Sequence, residues 1–82
     1  MKRLIVLDQA KADIRSIDKE RALNILKTLD RFASSEKGDV KRLQGIEPAL
    51  YRLRADDYRV LFHDLGDSIE VTRVRHRREA YR

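Results

Sequence analysis

With 82 residues, the chain has room for one domain, residues 1–82, which buries only about 60–65% of the surface its unfolded form exposes; a second core is excluded. A hydrophobic fraction of 41% supports folding despite 40% charged residues, and the absence of cysteine excludes a disulfide framework or a thiolate metal site. A formal net charge of +5 points to a polyanionic partner, and the apolar stretches are too short for a signal peptide or a membrane span, so a cytoplasmic protein without membrane contact is expected.

The first element in chain order is a short strand, Arg3 to Leu7, whose apolar run predicts a place inside the sheet. From Gln9 to Ile17, Ala10, Ile14 and Ile17 recur at spacings of four and three, as on one face of a short helix. Asp18 has the chemistry of an N-cap for the next helix, Lys19 to about Ser34. There Ala22, Ile25, Leu26, Leu29, Phe32 and Ala33 form the clearest 3.6-residue stripe in the chain. Turn-forming residues then dominate, with Gly38, Gly45 and Pro48 breaking any period, so residues 34–49 read as a connecting loop.

Beyond Pro48 the period falls to two. Asp56-Asp57 and Gly66-Asp67 have turn chemistry and divide the remainder into strands at about 50–55, 58–64 and 68–76. Alternation puts Tyr51 and Leu53 opposite Arg52 and Arg54, and Tyr58, Val60 and Phe62 opposite Arg59, Leu61 and His63. In the last strand Ile69 and Val71 share one parity and Val74 has the other, which predicts a bulge or a change of cover. The fold expected is α+β: an N-terminal strand, a two-helix hairpin and a three-stranded antiparallel meander. Both helices lie on one face of a four-stranded sheet and the arginine-bearing face is left for function.

Basic residues change kind along the chain. Nine of the thirteen arginines lie from Arg42 onward, whereas five of the six lysines lie at or before Lys37. A guanidinium is a planar fork that holds phosphate bidentately and keeps its charge. Arg73, Arg75, Arg77, Arg78 and Arg82 crowd the last ten residues beside one acid, Glu79, and His76 stands among them. A solvated tail is the plainer explanation of such a cluster, but its continuity with a strand favours phosphate or RNA binding. Tyr58 reads as core, and Tyr51 as core or as a stacking platform for a base. Two histidines far apart in sequence, His63 and His76, argue against zinc; no metal or other cofactor is expected.

Leu43-Gln44-Gly45, Leu50-Tyr51-Arg52-Leu53-Arg54, Asp57-Tyr58-Arg59-Val60-Leu61-Phe62 and His76-Arg77-Arg78-Glu79-Ala80-Tyr81-Arg82, in this order and spacing, resemble the RelE/ParE toxins. The resemblance implies a toxin of a toxin–antitoxin pair, with a cognate antitoxin as partner. In its RelE-like branch it implies an endoribonuclease that works on the ribosome, cleaves mRNA in the A site without a metal and inhibits translation. The positions matching that branch's active site are Arg52, Arg54, Arg59, Arg77 and Tyr81.

Metal-free RNA cleavage uses the 2′-hydroxyl as nucleophile and passes through a transition state of added negative charge, which arginines stabilise. Arginine is a poor base, so another group must take the proton. Tyr81 is the candidate, because neighbouring guanidinium groups favour phenolate; Arg77 would serve the leaving 5′-oxygen. RNA-cutting relatives often carry lysine where this chain has Arg52 and Arg54, which makes the identity of the base a live question, with His63 and His76 as substitutes. Two alternatives stand beside the ribonuclease: a ParE-like poison of DNA gyrase on the same fold, which would not need the arginine face, and a non-catalytic basic RNA-binding module.

Overall fold

A computed structural model describes residues 1–79. Its elements run β1 (Arg3–Val6), α1 (Asp8–Arg15), α2 (Lys19–Ser35), β2 (Val40–Arg42), β3 (Tyr51–Ala55), β4 (Tyr58–Asp64) and β5 (Ser68–His76), with the strands ordered β1-β5-β4-β3-β2 in one sheet. The α+β class, both helices and the hairpin meander are as the sequence predicts. The sheet, however, has five strands.

The added strand, β2, falls inside the segment expected to be a loop. Three residues cannot display an alternation, and Val40-Lys41-Arg42 pairs with β3 through the register Val40↔Leu53, Lys41↔Arg52 and Arg42↔Tyr51. A second correction concerns β1, which lies at the sheet edge and not inside it, parallel to β5 and with no other strand partner among the described residues. Its apolar run is correspondingly half-covered: Leu4, Ile5 and Leu7 are each 37–38% exposed.

Asp18 caps α2 as predicted, its side chain accepting from the Arg21 N–H. The helix ends at Glu36, where φ turns to 57° and the N–H reaches back to the Phe32 carbonyl. Ile25, Leu29, Phe32 and Ala33 bury against Leu53, Val60, Phe62, Ile69, Val71 and Val74. Phe62 stands at the centre, its ring 5.4 Å from Phe32 and 5.5 Å from Tyr51, so Tyr51 belongs to the core face. Leu26, expected in the stripe, is 43% exposed and stands outside the buried core.

The parity break in β5 is a bulge. Arg73 pairs with Leu61 but Val71 with Phe62, which leaves Thr72 without a partner in the register, and the Thr72 hydroxyl donates to the Leu61 carbonyl at 3.2 Å. The extra residue returns Val74 to the face of Ile69 and Val71 and turns Arg73 and Arg75 to the face of Arg59. One unpaired residue thus converts a mixed strand into one that is apolar toward the helices and basic on the other side.

Candidate phosphate site on the open face of the sheet

Strand register sets the arginines in rows. Arg54 stands opposite Arg59, which stands opposite Arg75; the next row along the strands is Lys41, Arg52, Leu61 and Arg73. Rows on one face are about 7 Å apart, two residues of rise. Ala10 of α1 and the apolar stripe of α2 pack on the opposite, apolar side, while Asp13 of α1 reaches the end of the second row at Arg73. Lys41 joins the cations only through β2, a strand too short to show a period in the sequence.

The row members differ in their surroundings. Arg59 is buried, 8% exposed, with Nη1 donating to the carbonyls of Asp56 and Tyr58 at 2.9 and 3.0 Å and Nε buried without a hydrogen-bond partner. It grips the β3–β4 turn, where Asp56 has a φ of 55° and also accepts from Asn24. Arg52 and Arg54 both lean toward Asp39, at 3.5 and 4.0 Å. Arg75 approaches Glu79 at 3.6 Å and Arg77 approaches Asp57 at 3.7 Å, while the Arg77 N–H donates to the Asp57 carbonyl at 2.7 Å. The pairs of Arg54 with Asp39 and of Arg77 with Asp57 are long and exposed on both sides, and such contacts are worth at most about 1 kcal/mol each, so they hold those two guanidinium groups only weakly.

Arg73 is held differently. Asp13 of α1 takes its Nε at 2.8 Å and an Nη at 3.2 Å, and the same carboxylate accepts the Val74 N–H at 2.9 Å. β1 stops at Val6 while β5 runs on to His76, and Asp13 satisfies a backbone donor that a longer β1 would have covered. Burial disfavours the Asp13 carboxylate, but the hydrogen bonds from Arg73, Val74 and Gln9 outweigh it and hold the group below its ordinary value. Its stabilising contribution is therefore complete above the ordinary carboxylate range and disappears as pH falls through the lowered folded value. Asp13→Asn is expected to cost about 1–3 kcal/mol at neutral pH and to flatten the acid limb of stability against pH, as read by urea unfolding from pH 7 downward. Nothing in the sequence marked Asp13, which lies 60 positions from Arg73.

Of the other predicted site residues, His76 does not join the rows. It shares parity with Tyr58, whose ring it meets edge-on at 5.4 Å, and its Nδ1 accepts the Arg78 N–H at 3.3 Å. Arg78 itself is exposed. A cleft of about 270 Å³ at the end of β5 is lined by Tyr58, Arg73, Arg75, His76 and Glu79 among others. Tyr81 and Arg82 lie outside the described residues. A larger cavity of about 630 Å³ between α2 and the β3–β4 turn mixes Asp18, Glu20 and Asp56 with Arg21 and Lys27, which does not suit a polyanion. Among the described residues no group of three or more His, Asp or Glu side chains is arranged to hold a metal ion, and no helix is long and apolar enough to cross a membrane.

The family model described as "ParE toxin of type II toxin-antitoxin system, parDE" matches residues 4–81. No curated protein sequence matches the chain. Among solved structures, the chain is similar to one in the archaeal RelE-RelB complex from Pyrococcus horikoshii OT3, at 28% identity and a TM-score of 0.72, covering 96% of this chain and 98% of that one. A chain of the RelB-RelE antitoxin-toxin complex from Methanococcus jannaschii has a TM-score of 0.75 at 22% identity, with 94% of each chain covered. A copper-bound mutant toxin from Helicobacter pylori, at 16% identity, a TM-score of 0.70 and coverage of 99% and 100%, has the same fold. By sequence and by fold, the chain belongs to the ParE toxin family of type II toxin–antitoxin systems, within the RelE/ParE superfamily.

Proposed function

We propose that the arginine rows bind the phosphates of RNA and that the protein is a ribosome-dependent endoribonuclease, cutting mRNA in the A site without a metal and so inhibiting translation. One observation carries this reading: Arg54, Arg59 and Arg75 stand side by side on three adjacent strands. Like charges placed directly opposite in a sheet destabilise it, and burying one of them, Arg59, adds to the cost. Fold stability does not account for such a row, whereas a polyanionic ligand does. In this reading Arg52, Arg54, Arg59 and Arg75 hold the backbone and stabilise the charge that develops at phosphorus. Arg77 acts with them, Tyr81 is assigned to the same site by the family resemblance alone, and Arg73, Arg78, Arg82 and His76 are assigned to RNA binding. The cognate antitoxin silences the toxin; the relatives from P. horikoshii and M. jannaschii are each complexed with RelB.

A poison of DNA gyrase is the second reading, favoured by the description of the matching family model as a ParE toxin. The experiment that tests the first is cleavage of ribosome-bound mRNA by purified toxin, with mapping of the new 5′ ends, wild type beside Arg77→Ala and Tyr81→Phe. Cuts confined to the A-site codon are expected, falling by about 10²-fold or more in each variant. Cuts that persist at the wild-type rate in both variants would remove these residues from the site.

A further inference from the structure

Resting on the reading of the arginine face as an RNA-cleaving site, we propose that His63 is the general base, its Nε2 taking the proton from the attacking 2′-hydroxyl. The arginines on this face cannot serve, because a guanidinium keeps its proton. His63 follows Arg59 and Leu61 on the same face of β4, half-buried and diagonal to Arg52 in the β3–β4 register. From β5, Glu70 stands directly opposite it. On this face Arg52 from β3 and Arg73 from β5 flank Leu61 and so stand diagonal to His63, Arg73 being paired with Asp13 of α1, while Glu70 is directly opposite and Leu61 is the apolar neighbour on β4.

The ring's orientation decides which nitrogen is available. His63 Nδ1 lies 2.7 Å from the carbonyl oxygen of Ala49, in the loop leading into β3. A carbonyl oxygen only accepts, so Nδ1 is the N–H donor and the neutral ring carries its lone pair on Nε2. A backbone contact of this kind fixes the tautomer and rotamer in advance, as a proton acceptor in catalysis requires. His76, by contrast, uses its Nδ1 to accept from Arg78 and packs against Tyr58, off the arginine rows.

The step balances without a further reagent except water. The 2′-oxygen bonds to phosphorus as its proton passes to Nε2. The bond from phosphorus to the 5′-oxygen breaks with its electron pair, and the 5′-oxygen leaves as a hydroxyl after taking a proton from water. The products are a 2′,3′-cyclic phosphate and a free 5′-hydroxyl, and the imidazolium returns its proton to solvent. The arginine rows hold the phosphorane charge between these two proton movements.

The test is single-turnover cleavage of ribosome-bound mRNA between about pH 5 and 8, comparing wild type, His63→Asn and His63→Ala. Asparagine places an amide N–H where Nδ1 stands and so can keep the Ala49 contact while lacking a proton acceptor at Nε2. Thermal unfolding checks that each variant is folded. Expected are a wild-type rate that rises with pH and levels off, a fall of about 10²-fold or more in His63→Asn with loss of the plateau, and partial rescue of His63→Ala by added imidazole. A folded His63→Asn that cuts at the wild-type rate with the wild-type pH profile would overturn the assignment and leave the ribonuclease reading intact. A wild-type protein that does not cut ribosome-bound mRNA would overturn both.

Discussion

Arg59→Leu is expected to lower mRNA cleavage by about 10²–10³-fold, the usual cost of removing one donor to a developing anion, while leaving the thermal midpoint unchanged or raised. The two halves of this expectation come from one side chain. Arg59 carries a buried charge between Arg54 and Arg75, and its Nε has no hydrogen-bond partner. Replacing it by an apolar residue of comparable volume but shorter reach removes a desolvated cation and two repulsions, and exchange of a buried charge for a hydrophobic residue is often neutral or stabilising. Against this, the Asp56 and Tyr58 carbonyls lose their donor; Asp56 is exposed, so water replaces the bond there. Cleavage and differential scanning calorimetry on the same preparation separate the roles. A large fall in midpoint with activity lost only in proportion to the unfolded fraction would make Arg59 a clamp for the turn and remove it from the phosphate site.

Phe62→Ala is expected to cost about 3–5 kcal/mol, the range for truncating a buried aromatic ring. The ring is 1% exposed, touches Phe32 of α2 and Tyr51 of β3, and so joins the helix layer to the sheet. In a domain of this size each kcal/mol moves the midpoint by about 4–8 °C, so a drop beyond about 12 °C follows, and a chain with the usual total stability of about 5–15 kcal/mol is left near its folding limit. Because a partner that binds only the folded form adds stability by mass action, co-expression with the cognate antitoxin is expected to restore much of the soluble protein. Guanidinium unfolding of the isolated variant gives the number, and a loss below about 1 kcal/mol would contradict the packing described.

How far the sequence carried the fold depended on the range of each signal. α2 was readable from its stripe and from Asp18, and the hairpins from Asp56-Asp57 and Gly66-Asp67, because each signal is local and repeats or sits at a turn. The parity break in β5 was readable from Ile69, Val71 and Val74 as a bulge or a change of cover, but that it is a bulge, and that it lies at Thr72, required the strand register. β2 was hidden because three residues have no period, and Lys41 was lost with it. The edge position of β1 was hidden because an apolar run describes composition and not neighbours. The arginine parity of β3 and β4 gave most of the candidate site. The pairing that unites those residues with Arg75, and the contacts of Asp13 with Arg73, Arg77 with Asp57 and His63 with Ala49, join distant segments and required the folded chain.

Whether the arginine face acts on RNA is decided by assaying one preparation of wild-type toxin in parallel for cleavage of ribosome-bound mRNA and for inhibition of supercoiling by DNA gyrase. Cuts in the A-site codon are expected at toxin concentrations that leave gyrase working. Intact mRNA and active translation beside blocked supercoiling would contradict this and assign the protein to the gyrase-poisoning branch of its family.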